Sequence, residues 1–157
     1  MPVVIEPMTL DDLDAVAAIE AASFTQPWSR QSFYSELANN QLASYYVARL
    51  EGNVAGYGGV WVILDEAHVT TLAVDRRYRR RGIAGSLLER LIERSQALGA
   101  LRMTLEVRPS NQPARSLYEK YGFSVQGIRK RYYFNEDGLI MFKEDLGQTG
   151  CIDEPAR

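Results

Sequence analysis

Positions 101–107 read LRMTLEV, with Leu101, Met103, Leu105 and Val107 on one face and Arg102, Thr104 and Glu106 on the other. A period of two predicts a half-buried strand. Before it, Ile83, Leu87, Leu88, Leu91, Ile92 and Leu98 recur at helical spacing, and Gly99 supplies the stop. After it, SNQPARSLYEKYGF predicts a compact helix capped by Ser110 or Asn111, with Pro113 in its first turn and Gly122 at its end. Ala114, Leu117 and Tyr121 form the core stripe of that helix, and Tyr118, turned about 100° from Leu117, falls at the edge of the stripe.

The N-terminal third starts with a helix. Thr9 caps it, Asp12 stands in the capping-box position, and Leu13, Val16, Ala17 and Ile19–Glu20 follow as the stripe. A second helix opens at PWSRQSFYSEL, with Ser29 as cap and Phe33 and Leu37 as its apolar pair. SYYVARL and VAGYGGVWVI predict two antiparallel strands joined at Glu51–Asn53, and AHVTTLAV a third. His68 in that third strand reads as structural, and Asp65 and Glu66 as turn residues. Two last strands fall at about Ser124–Tyr133 and Gly138–Glu144. The order αα βββ α β α ββ is that of a mixed α/β single domain over residues 1–146. Residues 147–157, GQTGCIDEPAR, are polar and read as a frayed, flexible tail.

Composition narrows the chemistry. The chain has 157 residues, is 46% hydrophobic and 24% charged, and carries a net charge of -2. That excludes disorder and argues against a general nucleic-acid binder. His68 is its one histidine and Cys151 its one cysteine, so no disulfide and no spaced metal-ligand cluster is available. Cys151 reads as an incidental surface thiol. No apolar run reaches membrane length, which makes the cytosol the expected compartment. DNA, membrane and metal are not expected as partners, and the chain is expected to be a monomer or a weak dimer.

Against this near-neutral background stands DRRYRRRGIAGSLL at 75–88, with five arginines between Arg76 and Arg81. Strand, basic glycine-containing turn, then helix is an anion-binding order. The first N–H groups of a helix lack internal acceptors and lie at the positive end of its dipole. Gly82 has no Cβ, so its backbone can approach a ligand. Two readings stay open on these residues alone: a pyrophosphate grip or a solvated basic loop. Neither a Walker A sequence nor GxGxxG is present.

Arg79-Arg80-Arg81-Gly82-Ile83-Ala84 matches the R/Q-x-x-G-x-G/A signature of the GNAT acetyltransferases. With LEVRPSNQPARSLYEKYGF, QPWSRQSF, LDEAHVTTLAV and RKRYYFNEDGLIM, in that family's order, the sequence resembles the RimI type, the ribosomal-protein-alanine N-acetyltransferases, from about Met8 to Leu146. Arg79 stands where glutamine is common and Ala84 where glycine is common; both are accepted variants. The resemblance implies the GNAT fold: a central mixed twisted sheet with two splayed parallel strands and about four helices. It implies acetyl-CoA as cosubstrate, without a metal, bound between the strand ending at Val74 and the one ending near Val107. Leu72, Ala73 and Val74 would offer backbone groups to the pantetheine and the acetyl carbonyl. Arg79, Arg80, Arg81, Gly82, Ile83, Ala84 and Gly85 would wrap the pyrophosphate. Asn111 and Tyr118 would contact the cofactor, with Glu106 as general base and Tyr118 as general acid. Tyr132 and Tyr133 would grip the substrate backbone, and Phe24, Pro27 and Trp28 would wall the other side of the slot. The stretch between Tyr133 and Glu136 is shorter than in RimI-type members, which bears on substrate preference.

For each of these residues a plainer role also fits the pattern. Glu106 could be a surface carboxylate on an alternating strand, Tyr118 a core-edge tyrosine, Trp28 a core residue, and Tyr132 and Tyr133 ordinary strand aromatics. The resemblance implies transfer of an acetyl group to the N-terminal α-amine of a ribosomal protein beginning with alanine. The alternatives are acetylation of lysine or small amines on the same fold, and a non-catalytic CoA-binding or ribosome-associated RNA-binding module.

Overall fold

The computed structural model describes residues 2–133 and 136–146, the side chains of 131–133 and 136 excepted. The expected tail and Cys151 lie outside the described residues. In chain order the elements are β1 (Val4–Pro7), α1 (Leu13–Ser23), α2 (Arg30–Asn39), β2 (Ala43–Leu50), β3 (Asn53–Ile63), β4 (Glu66–Val74), α3 (Ile83–Ala97), β5 (Arg102–Val107), α4 (Gln112–Lys120), β6 (Ser124–Tyr133) and β7 (Glu136–Lys143). The strands form a mixed sheet in the order β1-β2-β3-β4-β5-β7-β6. The mixed α/β class is as expected. β1 was not: four residues ending in a proline are too short to display a period, and proline suits an edge strand, here paired antiparallel to β2.

The chain divides into two compact units. The first comprises the residues up to Trp61 together with Thr70–Arg94, and the second comprises Val62–Val69 and the chain from Ser95. In the first unit, strand alternation divides the apolar side chains between two faces. Leu13, Val16 and Ile19 of α1 and Phe33 of α2 pack with Tyr45, Val47, Tyr57 and Ala73. Ile83 and Leu87 of α3 pack with Ala48, Leu50, Ala55 and Val74. α3 sits close because β3 carries Gly56, where a Cβ would stand 2.8 Å from the Ala73 carbonyl and 3.3 Å from Leu87. The α1 entry is as predicted: the Thr9 N–H donates to the Asp12 carboxylate at 2.9 Å, across one turn of 3-10 helix. The β2–β3 hairpin turns on Glu51 (φ 55°) and Gly52 (φ 84°), two left-handed residues that match strand twist.

In the second unit β4 and β5 pair in parallel through Glu66–Arg102, Ala67–Met103 and His68–Thr104, where their ladder ends. β5 and β6 both pair antiparallel with β7. Four details differ from the sequence reading. α3 stops at Ala97, and Leu98 is 44% exposed because the chain is already turning: Gly99 (φ 95°) and Ala100 close back on the carbonyls of Gln96 and Ser95 at 3.0 and 2.9 Å. Leu101 precedes β5 and is exposed. Glu66 lies within β4 and pairs with Arg102 at 2.6 Å, while Asp65 remains in the turn. On α4 the buried residue is Tyr118 itself, with Ala114, Leu117 and Tyr121 only half-buried. The stripe therefore centres where its edge was expected.

Candidate active site

In the first unit, β4 delivers Leu72, Ala73 and Val74 to the start of the arginine turn. The Asp75 N–H donates to the Ala55 carbonyl at 2.8 Å, which fixes the turn to β3. The Asp75 carboxylate then accepts the Arg77 N–H at 2.9 Å and its guanidinium at 3.0 Å. Arg77 holds that carboxyl below its usual range, chiefly through this side-chain hydrogen bond. Tyr78 is half-buried on the Ile83–Leu87 cluster, with the guanidinium groups of Arg77 and Arg81 at 5.3 and 5.6 Å from its ring. Arg79 Nε donates to the Val74 carbonyl at 3.1 Å.

Three of the five arginines are thus engaged by the protein, although all five are exposed. The knot is an organised turn and not a set of loose charges. Arg79 fastens the end of β4, and the carbonyl it takes belongs to one of the residues expected to serve the pantetheine.

The turn ends with Arg80 at φ 66° and Gly82 at φ 76°, both left-handed. Arginine bears a steric cost there, and such cost gathers at ligand clamps. The first α3 bond is Ser86 N–H to the Gly82 carbonyl at 3.1 Å. The N–H groups of Ile83, Ala84 and Gly85 therefore precede any helical acceptor. A Cβ on Gly82 would meet no atom within 4 Å, so this backbone is open to a ligand. A turn that aims consecutive N–H groups outward from a helix start suits a pyrophosphate.

In the second unit, β5 carries Glu106 near its C-terminal end. Its side chain is 11% exposed and lies 3.0 Å from Arg129 Nη1 of β6. The register explains the reach. Glu106 and Gly127 both stand opposite Ile140, and Arg129 stands opposite Gly138. All share one face of the sheet, and Gly138 has no side chain to stand between them. Arg129 was not legible as a partner in the sequence, because the pairing crosses three strands. Asn111 caps α4, its side-chain oxygen accepting the Ala114 N–H at 3.3 Å, which leaves its amide NH2 as the group able to meet a ligand. Tyr118 packs on Phe123 at 5.8 Å, and burial pushes its pKa up to about 12.

Glu20 is a further residue that the pattern obscured. It is 3% exposed and sits in the α1 core stripe. It accepts hydrogen bonds from Tyr57 Oη, from Thr71 Oγ1 at 3.2 Å and from the Trp28 N–H at 3.0 Å. One carboxylate thus ties the start of α2 to β4. The signal was present: an acid at helical spacing from Val16 and Ile19 points into the core and must find donors there. Trp28 packs on Phe33 at 5.2 Å, as the core role requires, and also lines a groove. Phe24 is exposed at the end of α1. The backbones of Tyr132 and Tyr133 lie in β6, and their side chains fall outside the described residues.

The chain belongs to the Acetyltransferase (GNAT) family, whose pattern matches residues 13–123. It is an acetyltransferase, and the enzymes of that family use acetyl-CoA. Among its relatives, the [ribosomal protein bS18]-alanine N-acetyltransferase of Escherichia coli (strain K12) is 40% identical over 129 residues, covering 81% of this chain and 84% of that protein. A Bacillus subtilis (strain 168) protein that carries the same name provisionally is 44% identical over 137 residues, covering 86% and 91%. The crystal structure of the Escherichia coli ribosomal-protein-S18-alanine N-acetyltransferase superposes with a TM-score of 0.82 at 34% identity, over 90% of this chain and 92% of that one. Ard1 from Thermoplasma volcanium, 24% identical with a TM-score of 0.82 over 90% of this chain and 97% of that one, shares the fold.

Proposed function

We propose that this protein transfers the acetyl group of acetyl-CoA to the N-terminal α-amine of a protein, foremost the N-terminal alanine of ribosomal protein bS18. The support is the likeness to relatives named for that activity, one of them provisionally, over more than four-fifths of the chain. Such a substrate would place the enzyme in the cytosol.

Acetyl-CoA contributes a thioester whose carbonyl carbon an amine attacks, forming C–N and releasing the thiol. In this chain, the N–H groups of Ile83–Gly85 and the arginine turn would receive the pyrophosphate. The β4–β5 ladder ends at His68 and Thr104, so Leu72–Val74 are not committed to that ladder. The amine reacts only when neutral. An α-amine with a pKa near 8 is about one-tenth neutral at pH 7, whereas lysine is neutral to a few parts in ten thousand. Glu106 therefore has only to accept the proton that the amine sheds, directly or through a water. Arg129 positions that carboxylate.

Tyr118 acts as a hydrogen-bond donor to the departing sulfur more than as a full proton donor. With its pKa at about 12 and a thiol near 8.5, complete transfer runs uphill by about 3.5 units, roughly 5 kcal/mol.

The test is incubation with acetyl-CoA and short peptides differing in the first residue, read by mass spectrometry. Free Ala- and Ser-starting peptides should react several-hundred-fold faster than N-terminally blocked peptides with internal lysines. Equal rates would replace this reading with the lysine one.

A further inference from the structure

Trp28, Gln31, Ser32, Ser35, Glu36 and Trp61 line a groove of about 330 Å³ within the first unit. Glu36 is the charged member of that lining. Its Oε1 accepts from Tyr45 Oη at 2.7 Å and from Trp61 Nε1 at 2.6 Å, and its Oε2 accepts from Asn40 Nδ2 at 3.1 Å. All three donors are neutral, and among the described residues no lysine or arginine pairs with Glu36. A carboxylate offers about four acceptor sites, so one stays available at Oε2. Three fixed donors hold it in place without neutralising it. Two indoles, the strongest cation–π partners among side chains, share the same lining.

We propose that this groove takes the guanidinium or ammonium of a basic side chain on the substrate protein, downstream of the acetylated residue. The proposal rests on the N-terminal acetyltransferase reading above. Two features favour the substrate as the source of that cation. Trp28 belongs both to this groove and to the Phe24–Trp28 segment that would wall the peptide slot. A hydrogen-bond chain also runs from Glu36 through Tyr45 Oη to Thr70 Oγ1, at 3.0 Å, on the stretch of β4 leading into Leu72–Val74. The enzyme would thereby read net positive charge near the substrate's start as well as its first residue.

The experiment uses the full chain, saturating acetyl-CoA and Ala-starting peptides carrying one arginine, or its neutral isostere citrulline, at each of positions two to six. At the best position arginine should lower KM about tenfold relative to citrulline, with little change in kcat. Raising salt to about 0.5 M should shrink that ratio. Glu36→Gln should bring it to within about twofold. Gln31→Lys, which sets a competing cation on the exposed rim, should do the same and covers the case in which Glu36→Gln does not fold. Equal KM values at every position, or a preference that survives both substitutions, overturns the proposal. If no peptide with a free α-amine is acetylated at all, the N-terminal reading falls and the groove proposal with it. Acetylation of the citrulline and arginine peptides at equal KM rejects the groove alone.

Discussion

Replacing Glu20 with alanine separates its role as a buried clamp from that of an ordinary core residue. Three donors converge on this carboxylate: Tyr57 Oη, Thr71 Oγ1 and the Trp28 N–H. The two hydroxyls both meet Oε1 and can turn toward one another when it is removed, so that pair recovers part of its loss. The Trp28 N–H has no such alternative. An unsatisfied buried donor costs about 1–3 kcal/mol. Adding the cavity left by the missing side chain, Glu20→Ala should lose about 3–4 kcal/mol. Glu20→Gln keeps an oxygen for the Trp28 N–H and turns its NH2 toward hydroxyls that can accept, so it should lose only about 1 kcal/mol. In a chain of this size these losses correspond to a fall in Tm of roughly 10 °C and roughly 3 °C. Urea unfolding followed by tryptophan fluorescence is the assay, since Trp28 and Trp61 are the only tryptophans and both lie in the first unit. Because the Trp28 anchor is released, peptide KM should rise in Glu20→Ala while acetyl-CoA affinity holds. A loss within about 1 kcal/mol for alanine, or equal losses for alanine and glutamine, would refute the three-donor clamp.

Gly82→Val should lower acetyl-CoA affinity at least tenfold by calorimetry, because φ 76° resists a β-branched residue; Arg76→Ala, an exposed and screened charge, should change it less than about threefold. Glu106→Gln should keep acetyl-CoA affinity and lose about 10²–10⁴-fold in kcat, partly recovered at higher pH where neutral amine no longer needs a base; wild-type turnover at pH 7 would remove Glu106 from the mechanism. Tyr118→Phe should lower kcat with little change in acetyl-CoA affinity, while unchanged kcat would leave Tyr118 a packing residue. Folding also holds the Tyr118 proton more tightly than the unfolded chain does, so its contribution is complete below pH 10 and fades as pH rises through about 12; urea midpoints of the wild type should fall over that window more than those of Tyr118→Phe.

The local elements of this protein were set by its sequence. Each depends on neighbours a few residues apart: the Thr9–Asp12 box, the Ser29 and Asn111 caps, the Glu51–Gly52 turn, the period of two along β5 and the glycine stop after α3. The ordered motifs around Gly82 and Tyr118 also carried the family. Tertiary structure decided what such short-range information cannot hold. Leu98 and Leu101 fit their periods yet lie exposed, because the Gly99–Ala100 closure turns the chain between them. Tyr118 became the buried centre of its helix because tertiary packing, not helical phase alone, chooses the covered face. The arginines looked alike in sequence, but Asp75, Val74 and Tyr78 engage three of them, Arg77, Arg79 and Arg81. Glu106 meets Arg129 only through the pairing of β5, β7 and β6. Glu20 and Glu36 resembled other helix acids until Tyr57, Thr71, Tyr45 and Trp61, brought from distant strands, supplied the donors that make each carboxylate a fixed point.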